Sequence, residues 1–346
     1  MPSHFGLLSS ELIPAPLNNC SAAKIISHFV PLHIIRHVQV FFAVLALVVC
    51  VLNLFILCSS TESGNKMRFH SNLRILLIGA LAFCILHSLS VIFTRVPYLA
   101  LFYTDFPDPC DYMIIAWKCL IFRIPVYVSV VGFTLSHAAL CLERAIATFS
   151  LHSYQKRSSI FGIFAIVFMF LGAILCNFYV FYEDDWLVYK SYCTSTTPKN
   201  ASRVLCMMDL ASLVDVTTTI GDFILLQVNK RQLQRKTKNY TLMKSYQLKE
   251  NKLSITLIFP VMATHSVTFL LFLFPSIIHR MYFGAKDGLT YIVFVDTIHI
   301  VLCVNTLVTP ALFYLFRQRL KVRVAHSSVT EMFDTSRQAD LYFEHR

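Results

Sequence analysis

Charge is scarce in this chain. Only 14% of its 346 residues are Asp, Glu, Lys or Arg, about half the share of an average soluble domain. Five stretches carry none at all: 38–58, 75–94, 124–142, 158–182 and 253–278. Seven spans of about 22 residues leave little chain for a soluble domain. Glycine is scarce as well, with nine residues. No internal repeat is visible, and Pro125, Pro260, Pro275 and Pro310 form no matched set of broken helices, which disfavours a transporter built from paired halves. Short alternating strands are missing. The apolar runs far exceed the 9–11 residues of a membrane-barrel strand, so helices are the form that satisfies the backbone in lipid. Acids are fewer than bases, 19 against 30, for a net charge of +11. The bases lie in loops between apolar runs rather than on one soluble surface, so no nucleic-acid partner is expected. Catalytic constellations are absent too: His87, His137, His265 and His299 fall in four different runs without paired spacing. No enzyme activity, cofactor or metal is expected. Residues 1–35 lack an apolar core followed by a small-residue cleavage site, so the first span is expected to serve as the insertion signal.

What is present is seven long apolar stretches: the five above, and 210–229 and 288–316, which carry Asp215, Asp222 and Asp296. The expected fold is all-α, a seven-transmembrane helix bundle. Residues 1–35 form an outer segment. The bundle is 36–316, with spans at about 37–58, 73–94, 112–143, 158–182, 205–229, 251–278 and 288–315, and the cytosolic tail is 317–346. Lys66, Arg68, Arg144, Lys156, Arg157, the segment 230–252 and the tail from Arg317 hold most of the positive charge. That bias sets the N-terminus outside and the C-terminus in the cytosol. The glycosylation triplets at Asn19 and Asn200 then lie outside, and that at Asn239 stays unmodified inside. After the seventh span, Phe316, Leu320 and Val324 stack at helical spacing, which predicts a short amphipathic helix on the inner leaflet. No cysteine follows to anchor it through a fatty acyl chain.

Six cysteines inside spans read as small packing residues. Cys20, Cys110, Cys119, Cys193 and Cys206 lie on the expected outer side, where disulfides form. Cys119 with Cys193 is the preferred pair, tying the top of span three to the loop after span four. Cys110 is the rival partner, and the odd count leaves one thiol over.

Span three ends in Cys141-Leu142-Glu143-Arg144-Ala145, which resembles the Asp/Glu-Arg-Tyr motif of rhodopsin-like receptors. Cys119 lies 25 residues earlier, about 37 Å along a helix, where those receptors place their span-three cysteine. Asn53 in span one and Thr309-Pro310-Ala311-Leu312-Phe313-Tyr314 in span seven are similar to two further motifs of that class. Span two has no Asp, span four no Trp, and span six no Cys-Trp-x-Pro. The chain more closely resembles nematode serpentine chemoreceptors of the alpha/beta class. That likeness rests on Phe69-His70-Ser71-Asn72-Leu73-Arg74-Ile75-Leu76, on Leu142-Glu143-Arg144-Ala145-Ile146-Ala147-Thr148, and on Ser245-Tyr246-Gln247-Leu248-Lys249-Glu250-Asn251. It covers residues 30–325.

This resemblance implies a G-protein-coupled receptor for an odorant or other small molecule, in the plasma membrane of a sensory neuron, able to form homo- or hetero-oligomers. It implies a switch at the cytosolic end in which Arg144 pairs with Glu143 and Glu250, with Pro310 and Tyr314 in span seven taking part. Ligand contacts are expected from outer-half groups, because a charge buried in lipid must face the bundle or water: Lys118, Arg123, Tyr127, Asp215, His265, Asp296 and His299. Val126 stands where amine receptors carry a carboxylate, and Cys303 where opsins carry their lysine, which disfavours both of those ligands. A ligand-gated channel or transporter is the alternative function.

Overall fold

The computed structural model describes residues 20–59, 70–150, 159–193, 196–197, 199–234, 242–282 and 288–344, side chains at 233, 242–250 and 321–344 excepted. A short helix α1 (Cys20–Ser27) precedes α2 (Val30–Ser59), α3 (Ser71–Phe102), α4 (Ala116–Phe149), α5 (Ile160–Phe181), α6 (Ala201–Gln234), α7 (Leu242–Tyr282) and α8 (Gly288–Glu344). Among the described residues, seven helices, α2 to α8, are long and apolar enough to cross a membrane. They correspond to spans one to seven. They are apolar on nearly every face, as expected where lipid replaces water. On the outer helix α5, Phe164, Phe168, Leu175 and Phe178 face outward, and on α2 Phe41, Val48 and Phe55 do the same.

The helices pack in sequence around α4, and α2 closes the ring against α8. In the apolar window of α4 67% of residues are buried, against 28% in α2 and in α5, so span three is the axis of the bundle. Its contacts are close where side chains are small. A Cβ on Gly132 would clash with the ring of Phe83, which is itself fully buried and stacked 4.3 Å from Phe170. At Gly162, α5 approaches the backbone of Asn72 so closely that its N–H donates to the Asn72 side chain at 3.1 Å.

One end of the bundle is covered. A 3₁₀ turn (Pro109–Tyr112) leads into β1 (Ile114–Ile115), which pairs antiparallel with β2 (Tyr189–Lys190) in the loop between spans four and five. Two disulfides hold this cover, Cys119–Cys193 and Cys20–Cys110. The second joins α1 to the loop after span two, where the fully buried Tyr112 also takes a contact from His28 at 3.1 Å. Cys206 is the free thiol on this side.

Three expectations are corrected. Span three starts at Ala116, not 112, because the turn and β1 occupy the residues before it. The tail is no separate short helix: α8 runs unbroken to Glu344, since no glycine or proline follows Pro310 to stop it. Asn200 is no open glycan acceptor: it is fully buried, donating to Asp184 at 2.7 Å and accepting from the Thr197 N–H at 2.8 Å. Asn19 lies outside the described residues.

Two outcomes follow. Gly132→Ala should cost about 1–3 kcal/mol by overpacking, read as a lower unfolding temperature of the purified full-length protein, and Phe83→Leu in the same chain should recover part of it. Asn200→Gln should leave the electrophoretic mobility of the expressed protein unchanged before and after enzymatic deglycosylation; a lost mobility shift would show that Asn200 carries sugar.

Candidate functional site

Three polar layers cross the bundle, each anchored on α4. The first lies beneath the covered end and surrounds a cleft. Arg95, Arg123, Tyr127, Arg280 and His299 line it from spans two, three, six and seven, and Met207, Met208, Val126 and Phe272 supply apolar wall. Behind the wall, Arg95 grips both oxygens of Asp296 at 2.8 and 3.3 Å, with both side chains buried. The Tyr192 hydroxyl donates to the same carboxylate at 2.5 Å. Gln39 of span one donates to the Asp296 carbonyl at 2.5 Å. Arg36, fully buried, lies 4.8 Å from the Tyr98 ring centroid and 5.5 Å from that of Tyr192. Arg280 donates to Thr196 of the cover loop. In the same loop Lys190 is held below the ordinary lysine range by burial, against the opposing pull of Asp184 and Asp185.

The second layer is deeper. Asp215 and Asp222 are two helical turns apart on α6, so one face presents both. They clasp the two nitrogens of His137, at 2.7 Å to Nδ1 and 2.9 Å to Nε2. Both contacts are hydrogen bonds only when both nitrogens carry protons. His265 approaches Asp215 at 3.8 Å and meets Asn305 at 3.2 Å. Asn305 accepts from Thr268 and Thr309 at 2.6 and 3.0 Å. Spans three, five, six and seven are thereby joined at one depth.

The third layer closes the far end. Arg144 binds both oxygens of Glu143 at 2.5 and 2.7 Å and donates to Asn251 of span six at 3.2 Å. Asn251 donates to Asn229 of span five at 2.9 Å and to Thr148 at 3.2 Å, and Asn229 donates to Thr148 at 2.9 Å. A crevice of about 260 Å³ reaches from Arg144 to Asp222 and links this layer to the second. In span one, Asn53 donates to the Pro310 carbonyl at 3.1 Å.

Residues 17–346 match the sequence model of a family described as serpentine-type seven-transmembrane G-protein-coupled receptors, class ab chemoreceptors. The chain belongs to this family. It is 29% identical over 240 residues to serpentine receptor class alpha/beta-14 of Caenorhabditis elegans, covering 67% of this chain and 59% of that one. Serpentine receptor class beta-17 of the same worm is 22% identical over 211 residues, 60% and 58% of the two chains. Serpentine receptor class alpha-39 is 27% identical over 178 residues, 51% and 47%. The chain spans about half to three-fifths of the length of these curated relatives. Its seven spans make it a multi-pass membrane protein, and its family is described as one of chemoreceptors.

For this serpentine receptor the sequence-derived set divides. Arg123, Tyr127 and His299 line the cleft, and Asp296 stands behind it. Asp215 and His265 sit in the second layer with His137. Lys118 is displaced from the expected site: it is exposed, its ammonium 5.7 Å from the Trp117 ring centroid. Tyr314 is displaced too, lying at the surface while Phe313 is buried. The Glu250 side chain lies outside the described residues. Scattering of the histidines is corrected: His87, His299 and Cys303 converge, as do His137, Asp215 and His265, each trio with ligand atoms within 4.8 Å of one another. Residues on different helices meet at one depth whatever their sequence spacing, and either trio is close enough to share a cation. Arg36, Arg95, Arg280, Thr148, Asn229 and Asn305 were missed.

Breaking the buried pair by one side leaves an uncompensated charge, a loss of about 3–5 kcal/mol. Asp296→Leu should therefore cut folded receptor at the surface sharply, and adding Arg95→Met should recover most of it; surface expression measured for the parent, the two single variants and the double variant decides whether the pair acts as a unit.

Proposed function

We propose that this receptor admits a small external molecule to the cleft beside Arg123, Tyr127 and His299 and responds by opening its opposite end to a heterotrimeric G protein. The observation that carries this reading is the sharing of one helix by all three layers: α4 contributes Arg123, His137 and the pair Glu143–Arg144. A ligand that favours one seating of α4 against spans five and six biases the far layer by the same free energy. Interhelical hydrogen bonds there join three helices through short amide and hydroxyl side chains, which suits two discrete arrangements rather than gradual deformation.

Charge and redox chemistry support the orientation that this reading needs. Lys and Arg gather on the side of the third layer, supporting a cytosolic face there. The two disulfides at the covered end support its exposure to an oxidising compartment. The family's description as chemoreceptors supports a place in the plasma membrane of a sensory cell. Glu250, next to Asn251, and Pro310, held by Asn53, belong to the same switch in this reading.

The test is nucleotide exchange on a panel of purified Gα proteins with the full-length receptor. Arg144→Ala should abolish receptor-dependent exchange. Asn251→Ala removes the contacts that hold span six to Arg144, Thr148 and Asn229, and should raise basal exchange about fivefold, the worth of about 1 kcal/mol. A basal rate equal to the parent's would rule out the lock, and no exchange on any Gα by either protein would remove G-protein coupling from the reading.

A further inference from the structure

Span seven carries His299 and Cys303 four residues apart, on one face of α8. His87 of span two meets them there, and the ligand-capable atoms of the three side chains lie within 4.8 Å of one another. His87 is fully buried, and neither of its ring nitrogens has a hydrogen-bond partner among the described residues. Leaving a buried imidazole so is costly, and a metal ion is a natural partner for its bare nitrogen. The Cys303 sulfur stands 3.8 Å from His299 Nδ1, a long contact for a hydrogen bond. An ion about 2.3 Å from sulfur and about 2.0 Å from nitrogen holds those two atoms about 3.5–3.8 Å apart at tetrahedral or trigonal angles, so this pair is already at ligand spacing. Cys303 is a free thiol packed with the apolar side chains of Ala43 and Val91, which shelter a metal–sulfur bond from water. The second trio is occupied by its own hydrogen bonds. His137 stands between Asp215 and Asp222, and the Asn305 amide donates to His265 Nδ1, leaving the His265 proton on the nitrogen that faces Asp215.

The donor set selects the ion. Two neutral imidazoles and one thiolate are suited to cuprous copper or zinc, and together they carry a single negative charge. Arg95 and Asp296 in the same layer already answer each other. A monovalent ion therefore leaves the site neutral, whereas a divalent one leaves a net charge among apolar helices. We propose that His87, His299 and Cys303 bind a cuprous ion that staples span two to span seven, beside the cleft that His299 also lines. As the sulfur–copper bond forms, the Cys303 S–H bond breaks and its proton passes to solvent. Copper stays cuprous throughout, so no electron donor or acceptor takes part. The site needs neither an external ligand nor a G protein, and its test measures metal alone.

The full-length receptor, purified free of metal and kept under ascorbate, is titrated with cuprous ion delivered from the chromophoric chelator bicinchoninate, with zinc chloride titrated in parallel. Copper should bind in a single equivalent, raise the unfolding temperature, and do so at lower free concentration than zinc. Cys303→Ser and His87→Gln should each weaken copper binding at least about tenfold, since even the outer partners of a metal site are worth that much. Cys84→Ser removes a buried thiol that meets Cys50 and should leave the binding unchanged. X-ray absorption of the copper-loaded parent should show one sulfur and two nitrogen donors, a signature that holds whether or not the variants fold; the metal-free unfolding temperature of each variant identifies any that do not. Failure to bind copper, binding that survives both Cys303→Ser and His87→Gln, binding lost in Cys84→Ser, or a copper spectrum with two sulfur donors would overturn the proposal. Zinc bound more tightly than copper through the same three residues would overturn the choice of a monovalent ion.

Discussion

A charge set among apolar helices in a bilayer has no water to fall back on, and the arrangement of this bundle depends on the pairs that match such charges. Asp296 is the central case. Arg95 from span two and Tyr192 from the loop after span four converge on its carboxylate, while Gln39 of span one takes its carbonyl. Spans one, two and seven and the cover are thus tied at a single residue. His137 performs the corresponding task for spans three and five by standing between Asp215 and Asp222, and Arg144 for spans three and six by joining Glu143 to Asn251. Apolar packing gives little preference for one helix orientation over another in lipid; these matches give that preference.

Architecture was legible because its determinants are local. Length and apolarity define a span within one segment, and the Glu143–Arg144 pair needs no distant residue. The site was legible only in part, for a reason visible in three arginines. Reading spans as charge-free runs ends them at residues 94 and 278 and starts the first at 37, which consigns Arg95, Arg280 and Arg36 to loops. The helices continue through all three, and each guanidinium is buried. A charged residue at the edge of an apolar run is ambiguous in sequence, since the same residue snorkels to water or turns inward, and only its neighbours on other helices decide. Lys118 shows the opposite outcome five residues before Arg123: same stretch, similar charge, exposed side chain.

The polar amides escaped notice for a related reason. Asn229, Asn251 and Asn305 carry no charge and interrupt no apolar run, yet each bridges two helices. Asn251 closes one of the three stretches that resemble this family, so the signal was in view without its physical meaning. Thr148, in another of those stretches, accepts from both Asn229 and Asn251. Two of the three stretches that resemble the family therefore carry residues of the far polar layer, Glu143, Arg144 and Thr148 in one and Asn251 in the other, whereas Arg95, Arg123 and Arg280 of the cleft lie outside all three.

The cover over the cleft has an energetic consequence of its own. Cys193 fixes the loop one residue from Tyr192, and Cys20 fixes α1 to the loop after span two, so these covering segments lose conformational freedom during folding rather than on binding. A small volatile or dissolved molecule has few atoms, and each contributes at most about 1.5 kcal/mol. Because the disorder was removed beforehand, a small molecule seated in the cleft, as the proposed reading requires, would spend little of that on ordering the receptor.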